Sequence, residues 1–175
     1  MARRRGTTSG PGDWARAYYV QARSDWAAYG RLQRTDLPAC HRLHYLQMTL
    51  EKLGKAFLIH AGRLDPEQVT SHKAFTTYLQ TARYDRPLAA ALGLRNRRHS
   101  YQSFKNLSAV ARAVEGLQPQ LAQKGPNVEY PWVDPQGSVQ VPANYPFADQ
   151  DRVYLTKLLT LAEALFQYHE PTFAG

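Results

Sequence analysis

The sequence predicts an all-α fold: one domain built as an up-and-down bundle of four to five helices. Three observations carry this. Apolar residues recur at spacings of three and four through most of the chain, most clearly at Leu43, Leu46, Leu50, Leu53 and Phe57. No strand–helix–strand alternation and no internal repeat is visible. The chain has 175 residues, 43% apolar and 21% charged, enough for one substantial core.

Taken in order, residues 1–12 (MARRRGTTSGPG) read as a disordered basic tail, suited to contacting phosphates or to aiding solubility. Residues 13–170 form the single helical domain. Asp13 is placed to cap a first helix running to about Gln33, with Trp14, Tyr18, Ala22, Trp26 and Tyr29 as its core stripe. Asp36-Leu37-Pro38 starts a second helix that carries the leucine seam and stops at Gly62. In it, Glu51 and Lys55 form an i,i+4 pair in the favourable order. Ser71 to Ala82 predicts a third helix with Phe75, Tyr78 and Leu79 inward. Asp85-Arg86-Pro87 opens a brief helical turn through Leu92, broken at Gly93. A longer helix is expected from about Ser100 to Gln123, carried by Phe104, Leu107, Ala111, Val114, Leu117 and Leu121. The last runs from Asp149 to Tyr168 with Leu155, Leu158, Ala162, Leu165 and Phe166 inward, and Asp149 and Asp151 at its positive end.

Between the last two helices lies a Pro/aromatic-rich loop, residues 124–148. Asp134-Pro135-Gln136-Gly137, flanked by Val133 and by Val139 and Val141, is a β-turn signature and predicts a small hairpin. Its rings, Tyr130, Trp132, Tyr145 and Phe147, either plug the open end of the bundle or contact a ligand.

Composition narrows the function classes. No apolar run reaches the roughly 20 residues needed to span a bilayer, and the basic N-terminus lacks the apolar stretch of a secretory signal, so no membrane partner is expected. The single cysteine, Cys40, excludes an internal disulfide and suits a reducing, cytoplasmic setting. The chain carries 22 Lys/Arg against 14 Asp/Glu, a net charge of +8. The excess is uneven: residues 1–105 hold 18 basic and 7 acidic residues, residues 106–175 hold 4 and 7. Such a distribution favours a polyanionic partner. Cys40, His41 and His44 sit at helical spacing, but without a second cluster they indicate no metal, and no cofactor-binding motif is present.

The densest run of cations is "LRNRRHSYQ", Leu94 to Gln102. It reads as an RNA-cleaving site, an anion-binding patch, or a solvated basic helix start. Beyond this run, "YYVQARSDWAAYGRL", "YLQMTLEKLGKAFL" and "SHKAFTTYL" together resemble the HEPN superfamily of helical bundles. The resemblance covers about residues 14–110. It is carried by Ala22 and Asp25 in the first helix, Gln47, Glu51-Lys52 and Lys55-Ala56 in the second, and His72 at the start of the third. Many HEPN proteins are metal-independent endoribonucleases with an Arg-x(4–6)-His motif, often followed by a tyrosine. "RNRRHSY" is similar to that motif but one residue short, with Arg95, Asn96, His99 and Tyr101 at the matching positions. Arg34 and His41 fit the formal spacing but lie in the first inter-helix loop, where the family motif does not belong.

Metal-free RNA cleavage needs proton transfer and cations to hold charge developing on phosphorus. Histidine suits the first and arginine the second. The resemblance therefore implies Arg95 on the phosphate, His99 as general acid or base and Tyr101 as an orienting group. Arg95, Asn96, Arg97 and Arg98 would form the RNA- or anion-binding face, doubled in a homodimer. Arg95 and His99 share one helical face if the helix begins before Arg95. The expected function is a HEPN-like protein that binds RNA, a nucleotide or a cognate protein partner through this face, as in toxin–antitoxin or defence systems. The alternatives are a metal-independent endoribonuclease and a non-catalytic scaffold.

Overall fold

The computed structural model describes residues 10–68, 72–94, 97–117, 125–147 and 152–173; for 97–100 and 152–154 it describes the backbone alone. Six α-helices dominate these residues: α1 (Pro11–Leu32), α2 (Ala39–His60), α3 (Ala74–Ala82), α4 (Arg86–Ala91), α5 (Arg97–Glu115) and α6 (Arg152–Phe173). Two short strands, β1 (Trp132–Val133) and β2 (Val139–Gln140), complete the fold. Among the described residues the fold is all-α apart from this hairpin.

Helix α1 opens at Pro11, so Pro11 and Gly12 belong to the helix and not to the basic tail, of which residues 1–9 lie outside the described residues. Asp13 is not the N-cap. It sits in the first turn, and its Oδ2 accepts from the Gly10 amide at 2.9 Å, closing the helix start from inside. The buried stripe is also shifted from the expected one. Ala15, Tyr19, Ala22, Asp25 and Tyr29 are buried, whereas Trp14 is 45% exposed and Tyr18 and Trp26 lie at the margin. Tyr19 takes the central place because its hydroxyl reaches the Phe166 carbonyl at 2.8 Å and its ring stacks on Phe173 at 4.6 Å.

Of the leucine seam of α2, Leu46, Leu50, Leu53 and Phe57 are buried as the spacing dictates, while Leu43, in the first turns of the helix, is only half-buried. Gly62 ends the helix at φ +65°, with Arg63 N–H donating to Leu58 O and Gly62 N–H to Ile59 O. Gly93, at φ +69°, ends α4 by the same paired bonds, from Leu94 to Ala89 and from Gly93 to Ala90. Asp85 caps α4 through Leu88 N–H at 3.0 Å.

Helix α3 begins at Ala74, three residues after the expected Ser71, which lies outside the described residues; Phe75, Tyr78 and Leu79 are buried as expected. Helix α2 meets it through Gly54, where an added Cβ would fall 2.4 Å from Phe75 N. Helix α5 starts earlier than expected, at Arg97, and stops at Glu115, because Gly116 and Leu117 turn out of the helix. Phe104, Leu107, Ala111 and Val114 are its buried seam. Leu121, like the rest of 118–124, lies outside the described residues, as do Asp149 and Asp151. Helix α6 runs five residues past Tyr168 to Phe173, whose ring is held by Tyr19.

The 125–147 segment forms the expected hairpin, with Trp132 opposite Gln140 and Val133 opposite Val139. Asp134 organises the turn by accepting from Gln136 N–H and Ser138 N–H. Trp132 is buried against Gly125, Tyr145 and Phe147, while Tyr130 stays exposed.

Candidate nucleic-acid interface

Helices α3 and α5 run antiparallel, and their two ends are joined by different chemistry. At one end the Glu115 carboxylate, 4% exposed, accepts from Phe75 N–H at 3.0 Å, Thr76 N–H at 3.2 Å and the Thr76 hydroxyl. These amides belong to the first turn of α3, which has no local side-chain cap, so Glu115 caps it from 40 residues away. Burial raises the Glu115 pKa despite these bonds, with Glu51 adding to the rise.

At the other end, Arg83 lies between two tyrosines. Its guanidinium carbon is 4.6 Å from the Tyr84 ring centroid and 5.3 Å from that of Tyr101. Its buried Nε has no hydrogen-bond partner among the described residues. From here a groove of about 310 Å³ runs between α3 and α5, with Leu79 and Phe104 in its floor. Gln80, Arg83, Tyr101, Lys105, Ser108 and Arg112 line it. On α5, Tyr101, Lys105, Ser108 and Arg112 step by four, three and four, which puts them on one helical face. Among the described residues, no carboxylate lies within ion-pair distance of Arg83, Lys105 or Arg112. Two arginines, a lysine and an aromatic ring therefore share one open surface, with no ion-paired carboxylate among the described residues.

Of the sequence-predicted residues, Tyr101 is the one whose side chain is described. Tyr101 is in the groove and 45% exposed. Arg97, Arg98 and His99 occupy the first turn of α5, one turn before Tyr101; their side chains lie outside the described residues, as do Arg95 and Asn96 altogether. Whether Arg95 and His99 share a helical face lies outside them too. Lys105 and Arg112 went unremarked in the sequence, although their spacing from Tyr101 was readable. Arg83 needed the tertiary packing.

The residues that carry the HEPN resemblance assemble elsewhere, inside the bundle. Lys52 Nζ lies 2.5 Å from Asp25 Oδ2, joining α2 to α1. Lys55 Nζ lies 2.5 Å from Glu51 Oε1, and His72 Nδ1 lies 2.7 Å from Glu51 Oε2, joining α2 to the start of α3. Gln47 donates to Glu51 at 3.2 Å, and Gln21 to Asp25 at 3.0 Å. Glu51 and Lys55 are each only 8% exposed at the side chain. Burial alone would raise the Glu51 carboxyl, but the bonds from Lys55 and His72 outweigh it and hold it below its ordinary value. The cluster bonds α2 to α1 and to the segment before α3; removing one partner of a buried pair leaves a charge short of compensation.

No family model, no curated protein and no solved structure matches this chain. Among the described residues, no group of three or more His, Cys, Asp or Glu side chains is placed to hold a metal ion, and no helix is long and apolar enough to cross a membrane. Cys40 is buried, and burial raises its thiol pKa. His44, one helical turn on from Cys40, lies 2.7 Å from Glu129 and ties the loop to α2. Tyr145 and Phe147 pack near Val110, Val114 and Leu117, around an apolar cavity of about 350 Å³. Tyr101 lies thirteen residues up α5 from Val114, about 20 Å at helical rise. The aromatic loop thus lies away from the Arg83–Tyr101 end of the groove.

Proposed function

We propose that this is an RNA-binding protein of the HEPN type, which holds the phosphate backbone of a single strand in the groove between α3 and α5. One observation carries the reading: Arg83, Lys105 and Arg112 line one open groove beside Tyr101, and no acidic side chain among the described residues pairs with them. Arginine guanidinium groups suit phosphate oxygens, and an exposed tyrosine suits stacking on an unpaired base. Arg97 and Arg98 stand in the first turn of the same helix, so the sequence adds two cations to the start of α5. The resemblance to HEPN proteins supports a homodimer with two such faces.

Fluorescence anisotropy with a labelled single-stranded RNA at low salt tests the reading. Wild-type protein binds, and the triple variant Arg83→Gln/Lys105→Gln/Arg112→Gln loses most of that affinity. Equal affinity of the two proteins would place the RNA elsewhere.

A further inference from the structure

Around the corner from the groove lies a second cleft, of about 400 Å³, where the C-terminal ends of α2 and α3 meet the end of α6. Phe57, His60, Arg63, Tyr84, Asp85 and His169 are among its lining residues. The two cavities adjoin at consecutive residues: Arg83 lines the groove, Tyr84 lines the cleft, and the guanidinium of one packs on the ring of the other. A strand whose phosphates follow Arg112, Lys105 and Arg83 would reach this cleft next.

We propose that the cleft is a nucleobase pocket matched to guanine, at the Arg83 end of the phosphate-binding groove. The proposal rests on RNA as the ligand of that groove. The volume is within the range of small-ligand sites and admits one nucleoside. Its walls pair flat rings with polar edges: His169 packs on Phe57 with centroids 4.2 Å apart, and Tyr84, 62% exposed, stands at the rim. His169, in the cleft wall, has a buried Nε2 with no hydrogen-bond partner among the described residues. Burial lowers the His169 pKa to about 4, so this imidazole is neutral at pH 7; Arg63 and Asp85 line the same cleft.

Those two charges select the base. Guanine alone offers adjacent N1–H and N2–H donors on one edge, which a carboxylate accepts together, and O6 and N7 acceptors on the other, which an arginine fork meets bidentately. Adenine presents an acceptor at N1 and a donor at N6 toward the positions where guanine needs the reverse. Cytosine and uracil lack the N7 acceptor altogether.

Isothermal titration of the full chain with 5′-GMP, AMP, CMP and UMP tests this, with Asp85→Asn and Arg63→Gln as variants. Asparagine caps a helix as well as aspartate, so Asp85→Asn keeps the α4 cap while removing the paired acceptors. Wild-type protein should prefer GMP over AMP by about 5- to 150-fold, the discrimination of one bidentate pair. Either variant should abolish that preference while salt-sensitive binding to polyuridylate persists. Equal affinity for the four mononucleotides, or a guanine preference that survives both variants, overturns the proposal. Polyuridylate binding lost only in the Arg83/Lys105/Arg112 variant would show that the groove reading stands when the guanine reading falls.

Discussion

Replacing Lys55 by methionine tests how much of the bundle depends on its buried charges. Methionine keeps the length and packing of the side chain but removes the cation that lies 2.5 Å from Glu51 Oε1. With both partners 8% exposed, water does not compensate the carboxylate left behind. Removing one member of such a pair costs about 3–5 kcal/mol, whereas an exposed i,i+4 pair is worth about 0.3–0.5 kcal/mol. Urea unfolding followed by circular dichroism at 222 nm separates the two cases. With a slope of roughly 2 kcal/mol per molar urea, the midpoint should fall by about 2 M. Acid should narrow the gap. The Glu51 pKa is lowered in the folded protein, so its contribution is present above the ordinary carboxyl pKa, about 4.3, and is lost as pH falls through the folded value. The difference between wild type and Lys55→Met should be full at pH 7 and shrink below about pH 4.3. A loss under about 1 kcal/mol at pH 7, or a gap indifferent to acid, would refute the claim that the bundle depends on this buried pair.

Two further outcomes follow from the same structure. Gly54→Ala puts a methyl 2.4 Å from Phe75 N and 2.5 Å from the Ala74 carbonyl carbon, and helix backbone cannot yield as a side chain would. It should cost at least about 1–3 kcal/mol and lower the melting temperature, and an unchanged melting temperature would contradict the close approach of α2 and α3. Incubation with RNA in EDTA separates binding from cutting: the binding reading expects intact RNA at high protein concentration. Cleavage that persists in EDTA and disappears in His99→Ala would move the protein into the endoribonuclease class.

Where a local rule acts alone, the sequence was enough. The 3-4-3-4 leucine seam dictated the buried face of α2, and Gly62 and Gly93 stopped their helices because positive φ is cheap only for glycine. Asp134-Pro135-Gln136-Gly137 likewise dictated its turn. The misplaced stripe of α1 has a different origin. Tryptophan and tyrosine are large enough to satisfy an apolar spacing from the edge of an interface, so Trp14, Tyr18 and Trp26 set a phase that the core did not use. The burial of Glu51 and Lys55 was invisible because an i,i+4 pair has the same spacing in water or in a core. The groove was only half legible. Tyr101, Lys105 and Arg112 share a face by arithmetic, but Arg83 joins them only through the packing of α3 on α5, where Glu115 bonds Thr76 and Leu79 and Phe104 share the core. Lacking that packing, sequence reasoning pointed to the first turn of α5 and stopped there.

The salt dependence of RNA binding tests the central claim most directly. Each phosphate neutralised on a single strand contributes about 0.7 to the slope of log affinity against log salt. If Arg83, Lys105 and Arg112 each hold one phosphate, the triple glutamine variant should bind with a slope shallower by about 2. An identical slope in wild type and variant would show that the groove between α3 and α5 holds no phosphates.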